Sequence, residues 1–95
     1  MALDARKRRA LVASANRIKI SASVSADAIS DATIEHVRRC FTKHELIKIR
    51  IATPDRDAFK SAADRLAEKT PCDVLQRLGR VVTLYRAGQD ADNSD

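Results

Sequence analysis

The chain has 95 residues, 44% of them apolar and 33% charged, with a formal net charge of +5. That length suits one domain with a single core, which needs neither a disulfide nor a metal to hold it at this size. The charge is uneven: residues 1–50 carry eleven Lys/Arg against five Asp/Glu, residues 51–95 seven against eight. The basic half suggests a surface facing a polyanion.

Residues Leu3 to Ala15 read as a helix. Ala5, Ala10, Ala13 and Ala15 favour it, and Asp4 suits its positive N-terminal end. Arg6, Lys7, Arg8 and Arg9 make it a cationic helix with a thin apolar stripe. Ile18, Ile20, Ala22 and Val24 then alternate with Lys19, Ser21 and Ser23, predicting a short strand. Ser25-Ala26-Asp27-Ala28 reads as a connecting loop.

Ser30 is placed to cap a second helix, with Ile29 and Ile34 forming a hydrophobic staple across the cap. Ile34, Val37 and Phe41 make its buried stripe, with Cys40 beside it and His36, Arg38, Arg39 and Lys43 off it. The next run, His44 to Ile51, alternates strictly. Ile47, Ile49 and Ile51 share one face, Leu46, Lys48 and Arg50 the other. Three β-branched residues favour a strand, so one face is built for a core and the other carries two positive charges.

Thr53-Pro54-Asp55 opens a third helix, with Thr53 as the expected cap and Pro54 in the first turn. Phe59, Ala62, Ala63, Leu66 and Ala67 recur at the helical period, and Pro71 closes the segment. Val74 to Leu78 and Val81 to Arg86 form a hairpin about Gly79-Arg80. The domain thus spans residues 1–87, and 88–95 read as a disordered acidic tail.

The order α-β-α-β-α-β-β calls for an α/β fold, with a small four-stranded mixed sheet packed with helices. No run approaches the ~18 apolar residues of a membrane span. Cys40 and Cys72 have no zinc-ligand spacing and read as reduced thiols in a cytoplasmic protein. The Arg-rich start resembles an organellar presequence, but Asp4 and the lack of bulky apolar residues argue against one. Two histidines, two glycines and no tryptophan supply no catalytic constellation, phosphate loop or stacking platform. No enzyme activity, cofactor, metal or small-molecule substrate is expected.

The pattern Leu11-x-x-x-Ala15-Asn16-x-Ile18-Lys19, the helix from Ser30, His44-Glu45-Leu46-Ile47-Lys48-Ile49-Arg50, Gln76-x-x-Gly79 and Leu84-Tyr85-Arg86 resembles the CRM domain. This family comprises YhbY-type small bacterial proteins and plant relatives in intron splicing. The resemblance covers about residues 3–87. It implies a fold similar to the C-terminal domain of translation initiation factor 3, RNA as partner, and a role in maturation of the large ribosomal subunit through rRNA or a pre-ribosomal particle.

The family places a Gly-x-x-Gly loop between its first strand and second helix. Here that loop falls on Ser25-Ala26-Asp27-Ala28, without either glycine and with a carboxylate where phosphate would sit. Two readings therefore stand. In one, Arg6, Lys7, Arg8, Arg9, Lys19, Lys48 and Arg50 contact RNA phosphates, with the backbone of Ser25, Ala26, Asp27 and Ala28 contributing. In the other, the chain is a protein-interaction module that kept the fold and lost the RNA site.

Overall fold

The computed structural model describes residues 4–86. Its elements are α1 (Ala5–Ala15), β1 (Ala22–Ser25), a 3-10 turn (Ala26–Ala28), α2 (Asp31–Lys43), β2 (Leu46–Ala52), α3 (Arg56–Lys69), β3 (Asp73–Leu78) and β4 (Val81–Tyr85). The order is the expected one, and the four strands form one sheet in the order β1-β2-β4-β3. β1 and β2 are joined by a helical crossover and run parallel; β4 pairs antiparallel with both β2 and β3. This is the mixed α/β sheet that the alternation of helices and strands demands. The tail assigned to 88–95, and Leu3 of the first helix, lie outside the described residues.

One face of the sheet is apolar at its centre, with Arg77 of β3 at its edge donating to Asp64 of α3 at 3.2 Å. Ile47, Ile49 and Ile51 are completely buried, and so are Val82 and Leu84 opposite them on β4. They pack with Val37 and Phe41 of α2 and with Phe59, Ala62, Ala63 and Leu66 of α3 in a single cluster. The period-2 pattern of β2 and the period-3.6 patterns of the two helices meet on this face.

The opposite face is covered by α1. Ala15 of α1, Leu75 of β3, and Thr83 and Tyr85 of β4 are buried here, outside the main cluster. β3 carries a bulge between Val74 and Gln76, which leaves Leu75 without a partner on β4. Such an extra residue bends the strand and frees backbone groups. The Arg8 guanidinium reaches that point, 3.3 Å from the Val74 carbonyl and 3.5 Å from that of Leu75. The Lys7 ammonium sits 5.9 Å from the centre of the Tyr85 ring, a cation–π distance. The apolar stripe of α1 is thin, and polar contacts supplement it.

The local signals are mostly met. Asp4 caps α1 by accepting from the Lys7 amide at 2.7 Å. Ser30 caps α2 by accepting from the Thr33 amide, and both Ile29 and Ile34 join the core. Gly79, the first of two hairpin residues, has φ +62°, while no non-glycine described residue has positive φ. Glycine in that first position is what a type II′ turn requires.

Two local expectations are corrected. The cap of α3 is Asp55, whose carboxylate accepts from the Ala58 amide at 2.7 Å. Thr53 instead folds its buried hydroxyl over the Asp55 backbone, and Pro54 lies before the helix. A carboxylate at the positive helix end combines a cap with a favourable charge, which gives Asp55 the stronger claim. Second, the first strand begins at Ala22, not Ile18. The chain leaving α1 continues in turns, with Arg17 donating to Ser14 and Ile18 to Ala15, so Ile18 and Ile20 lie outside the ladder.

Candidate functional site

The expected cations occupy three different settings. On α1, Arg6, Lys7, Arg8 and Arg9 are all exposed. Arg8 and Lys7 hold the helix to the sheet as described, whereas Arg6 and Arg9 have no partner among the described residues. On β2, Arg50 is exposed, but Lys48 is half-buried and its ammonium donates to the Ile18 carbonyl at 3.2 Å. The expectation of two free cations on that face therefore holds for Arg50 only. The reason is geometric: the turn after α1 crosses this end of the strand, and the Ser21 amide bonds the Lys48 carbonyl at 2.7 Å. Lys19 lies in that crossing segment and is exposed.

Ser25 ends β1, and Ala26, Asp27 and Ala28 form the 3-10 turn. Asp27 and Ala28 are exposed, while Ala26 is half-buried against the core. The turn packs against α3. The Ala28 carbonyl accepts from the Thr33 hydroxyl at 3.0 Å. No residue here needs a left-handed backbone. Loss of the glycines is therefore no obstacle to the path of the chain. What the substitutions change is the surface: a Cβ at positions 25 and 28, beside the exposed carboxylate of Asp27.

A concavity lies elsewhere, between residues 18–21, the C-terminal half of α2 and the start of β2. It is an open groove of about 870 Å³. Lys19, His36, Arg39, Lys43 and His44 line its rim, and Ile18, Ile20, Cys40 and Leu46 supply half-buried apolar surface. No Asp or Glu is among its lining residues. Arg39 makes an exposed pair with Glu35 at 3.8 Å, a weak surface contact. Arg38 belongs to the other side of α2, where it donates to the Lys69 carbonyl of α3.

The sequence names Lys19 as a phosphate contact, without this groove, and leaves His36, Arg39 and Lys43 as residues off the buried stripe. A signal was available: positions 36, 39 and 43 recur at three- and four-residue intervals, so they form their own stripe along α2. His44 follows as the C-cap. Cys40 lies between that stripe and the core. Burial pushes its thiol pKa up, partly opposed by the Lys43 ammonium. Among the described residues, no cluster of three or more His, Cys, Asp or Glu is arranged for a metal. No described helix is long and apolar enough to cross a membrane.

A three-helix, four-stranded mixed-sheet domain in this element order, with a cationic first helix and a basic groove at the sheet end, is a defined type of small α/β module. The chain belongs to the CRS1/YhbY (CRM) domain family, whose pattern matches residues 3–86. It is 24% identical over 86 residues to a Pseudomonas aeruginosa protein named as a probable RNA-binding protein, spanning 90% of this chain and 83% of that one. It is 20% identical over 89 residues to a Haemophilus influenzae protein named as RNA-binding, spanning 94% of this chain and 90% of the other. The fold matches the solution structure of the Staphylococcus aureus protein SAV1595, described as an RNA-binding candidate, with a TM-score of 0.77. That match has 25% identity and covers 90% of this chain and 88% of that one.

Proposed function

We propose that this protein is a non-enzymatic RNA-binding module that contacts the RNA backbone and assists assembly of the large ribosomal subunit in the cytoplasm. The observation that carries the RNA reading is the groove rim, where Lys19, Arg39 and Lys43 gather with no carboxylate in the lining. Membership of the CRM family and the RNA-binding names of two relatives support it. Arg6 and Arg9 on α1 and Arg50 on β2 add exposed positive charge. Phosphates are the natural ligands of such a set, because each neutralised phosphate releases condensed counterions. Recognition is of backbone and shape, since few side chains here suit base reading. The 25–28 turn plays the smaller part, its carboxylate opposing phosphate.

The test is a titration with one structured RNA hairpin across salt concentrations. With ~3–5 phosphates neutralised, log K should fall against log salt with a slope of roughly −2 to −5. Lys19→Ala with Lys43→Ala should flatten it. No binding at low salt would overturn the reading in favour of a protein-interaction module. For the assembly role, the protein should co-sediment with precursors of the large subunit rather than with mature subunits; exclusion from both fractions would refute it.

A further inference from the structure

The groove contains more than phosphate recognition requires. A binding site for backbone alone needs only exposed cations. This one sets half-buried Ile18, Ile20, Cys40 and Leu46 among them, together with two imidazoles and a guanidinium. Its volume, about 870 Å³, lies within the range of clefts that hold a small molecule, although the groove is open on one side. Unpaired RNA bases are commonly held against aromatic rings, histidine included, or against arginine planes. Phe41 and Phe59 are buried in the core and unavailable for this, and Tyr85 is buried beneath α1, so His36, His44 and Arg39 are the planar groups the groove offers.

We propose that the groove receives a single unpaired nucleotide of the bound RNA. The base lies over the apolar floor beside His36 and His44, and the flanking phosphates are met by Lys19 and Lys43. Charge and shape select the ligand: the ionisable side chains on the rim are basic, so an apolar peptide gains nothing from them, and the half-buried apolar floor beside the two imidazoles suits a base better than the charged side chains of an acidic peptide. The inference rests on the RNA reading above and adds the part of the RNA that the groove takes.

The experiment compares three hairpins of equal length at one low salt concentration: fully paired, carrying a single-nucleotide bulge, and carrying the same bulge without its base. The bulged hairpin should bind roughly five- to tenfold more tightly than the other two, the lower end of what one stacked base contributes. His36→Ala with His44→Ala should abolish that preference, so that the three hairpins bind alike. Equal affinities for the base-bearing and abasic bulges would overturn the nucleotide site while leaving backbone recognition standing. Absence of binding to all three would overturn the RNA reading itself. A second readout avoids dependence on the double variant. In a Cys72→Ser background, labelling of Cys40 should slow on adding the base-bearing bulge and remain unchanged with the abasic one; equal slowing by both would count against a seated base.

Discussion

The two faces of the sheet are held by different physics. On the α2/α3 face, five side chains from β2 and β4 are excluded from water altogether, and charged contacts are confined to its margin, where Arg77 of β3 donates to Asp64 of α3 and Arg38 to the Lys69 carbonyl. On the α1 face, four smaller or polar contributions do the work: buried Ala15 and Leu75, the Lys7–Tyr85 contact, the Arg8 bonds to the bulge and the Lys48 bond to the Ile18 carbonyl. One strand dictates both, because alternate residues of β2 point to opposite sides. The apolar face supplies cohesion. The cationic face gives up part of its charge to attach α1, so a basic residue there is not automatically one available to RNA.

The largest expected effect breaks the comparison from its strong side. Ile49→Ala removes a fully buried side chain at the centre of the apolar cluster, which should cost about 2–5 kcal/mol in denaturant unfolding. A loss under ~1 kcal/mol would mean that this face is not close-packed.

Chemistry at the edge of the same cluster offers a milder probe. Burial, reinforced by the Asp73 carboxylate and opposed by Arg86, pushes the Cys72 thiol up to about 11. At pH 8 its thiolate fraction should be ~100-fold below that of an unperturbed thiol, partly offset by the greater nucleophilicity of a more basic thiolate. Reaction with a disulfide reagent should therefore be roughly tenfold slower than for a free cysteine, before any hindrance of access. The sign for stability follows: the raised folded-state value contributes stability that is present below pH 9 and lost as the pH rises towards 11. A Cys72 that reacts as fast as free cysteine would show that this margin opens readily.

The third probe raises stability. Thr70, at the C-cap of α3, is fully buried, and its hydroxyl finds no partner among the described residues. Thr70→Val keeps the shape and removes the unpaired oxygen. It should stabilise by about 1 kcal/mol, the lower part of the usual penalty for such a group. A destabilised variant would reveal a bond that the hydroxyl makes in solution.

Much of the apolar face was legible in the sequence because its signals are periodic and local: alternating isoleucines on β2, the 59-62-63-66 series on α3, the Ser30 cap. The other face was less so. That Lys48 bonds the Ile18 carbonyl depends on where the turn after α1 crosses the sheet, a contact between residues 30 positions apart. Likewise Arg8 reads as one more member of a basic run until a bulge 66 positions away presents its carbonyls. The groove is also a product of tertiary arrangement, since Lys19 and the 36-39-43 stripe meet only once α2 has crossed back over β1. Ile18 and Ile20 imitated a strand through their alternation, but the turns leaving α1 took them out of the ladder.

The smallest effect tests the cationic face, where Arg8 and Arg9 are neighbours of equal charge with different surroundings. Both are exposed, yet Arg8 donates to the Val74 and Leu75 carbonyls while Arg9 has no partner among the described residues. If every cation of α1 served only RNA, alanine at either position would leave the free protein unchanged and weaken binding alike. The structure predicts otherwise. Arg8→Ala should lower stability by about 0.5–1 kcal/mol, the range for a charged hydrogen bond discounted for exposure and long geometry. That corresponds to a melting shift of roughly 2–8 °C in a domain of this size. Hydrogen exchange should quicken in α1 and along β3 but not in β2, because the loss frees one helix from one edge of the sheet. Arg9→Ala should melt with wild type and show its effect only in RNA affinity, as a slightly flatter salt dependence. Matching melting curves for the two variants would remove Arg8 from the structural account and return it to the RNA-facing set.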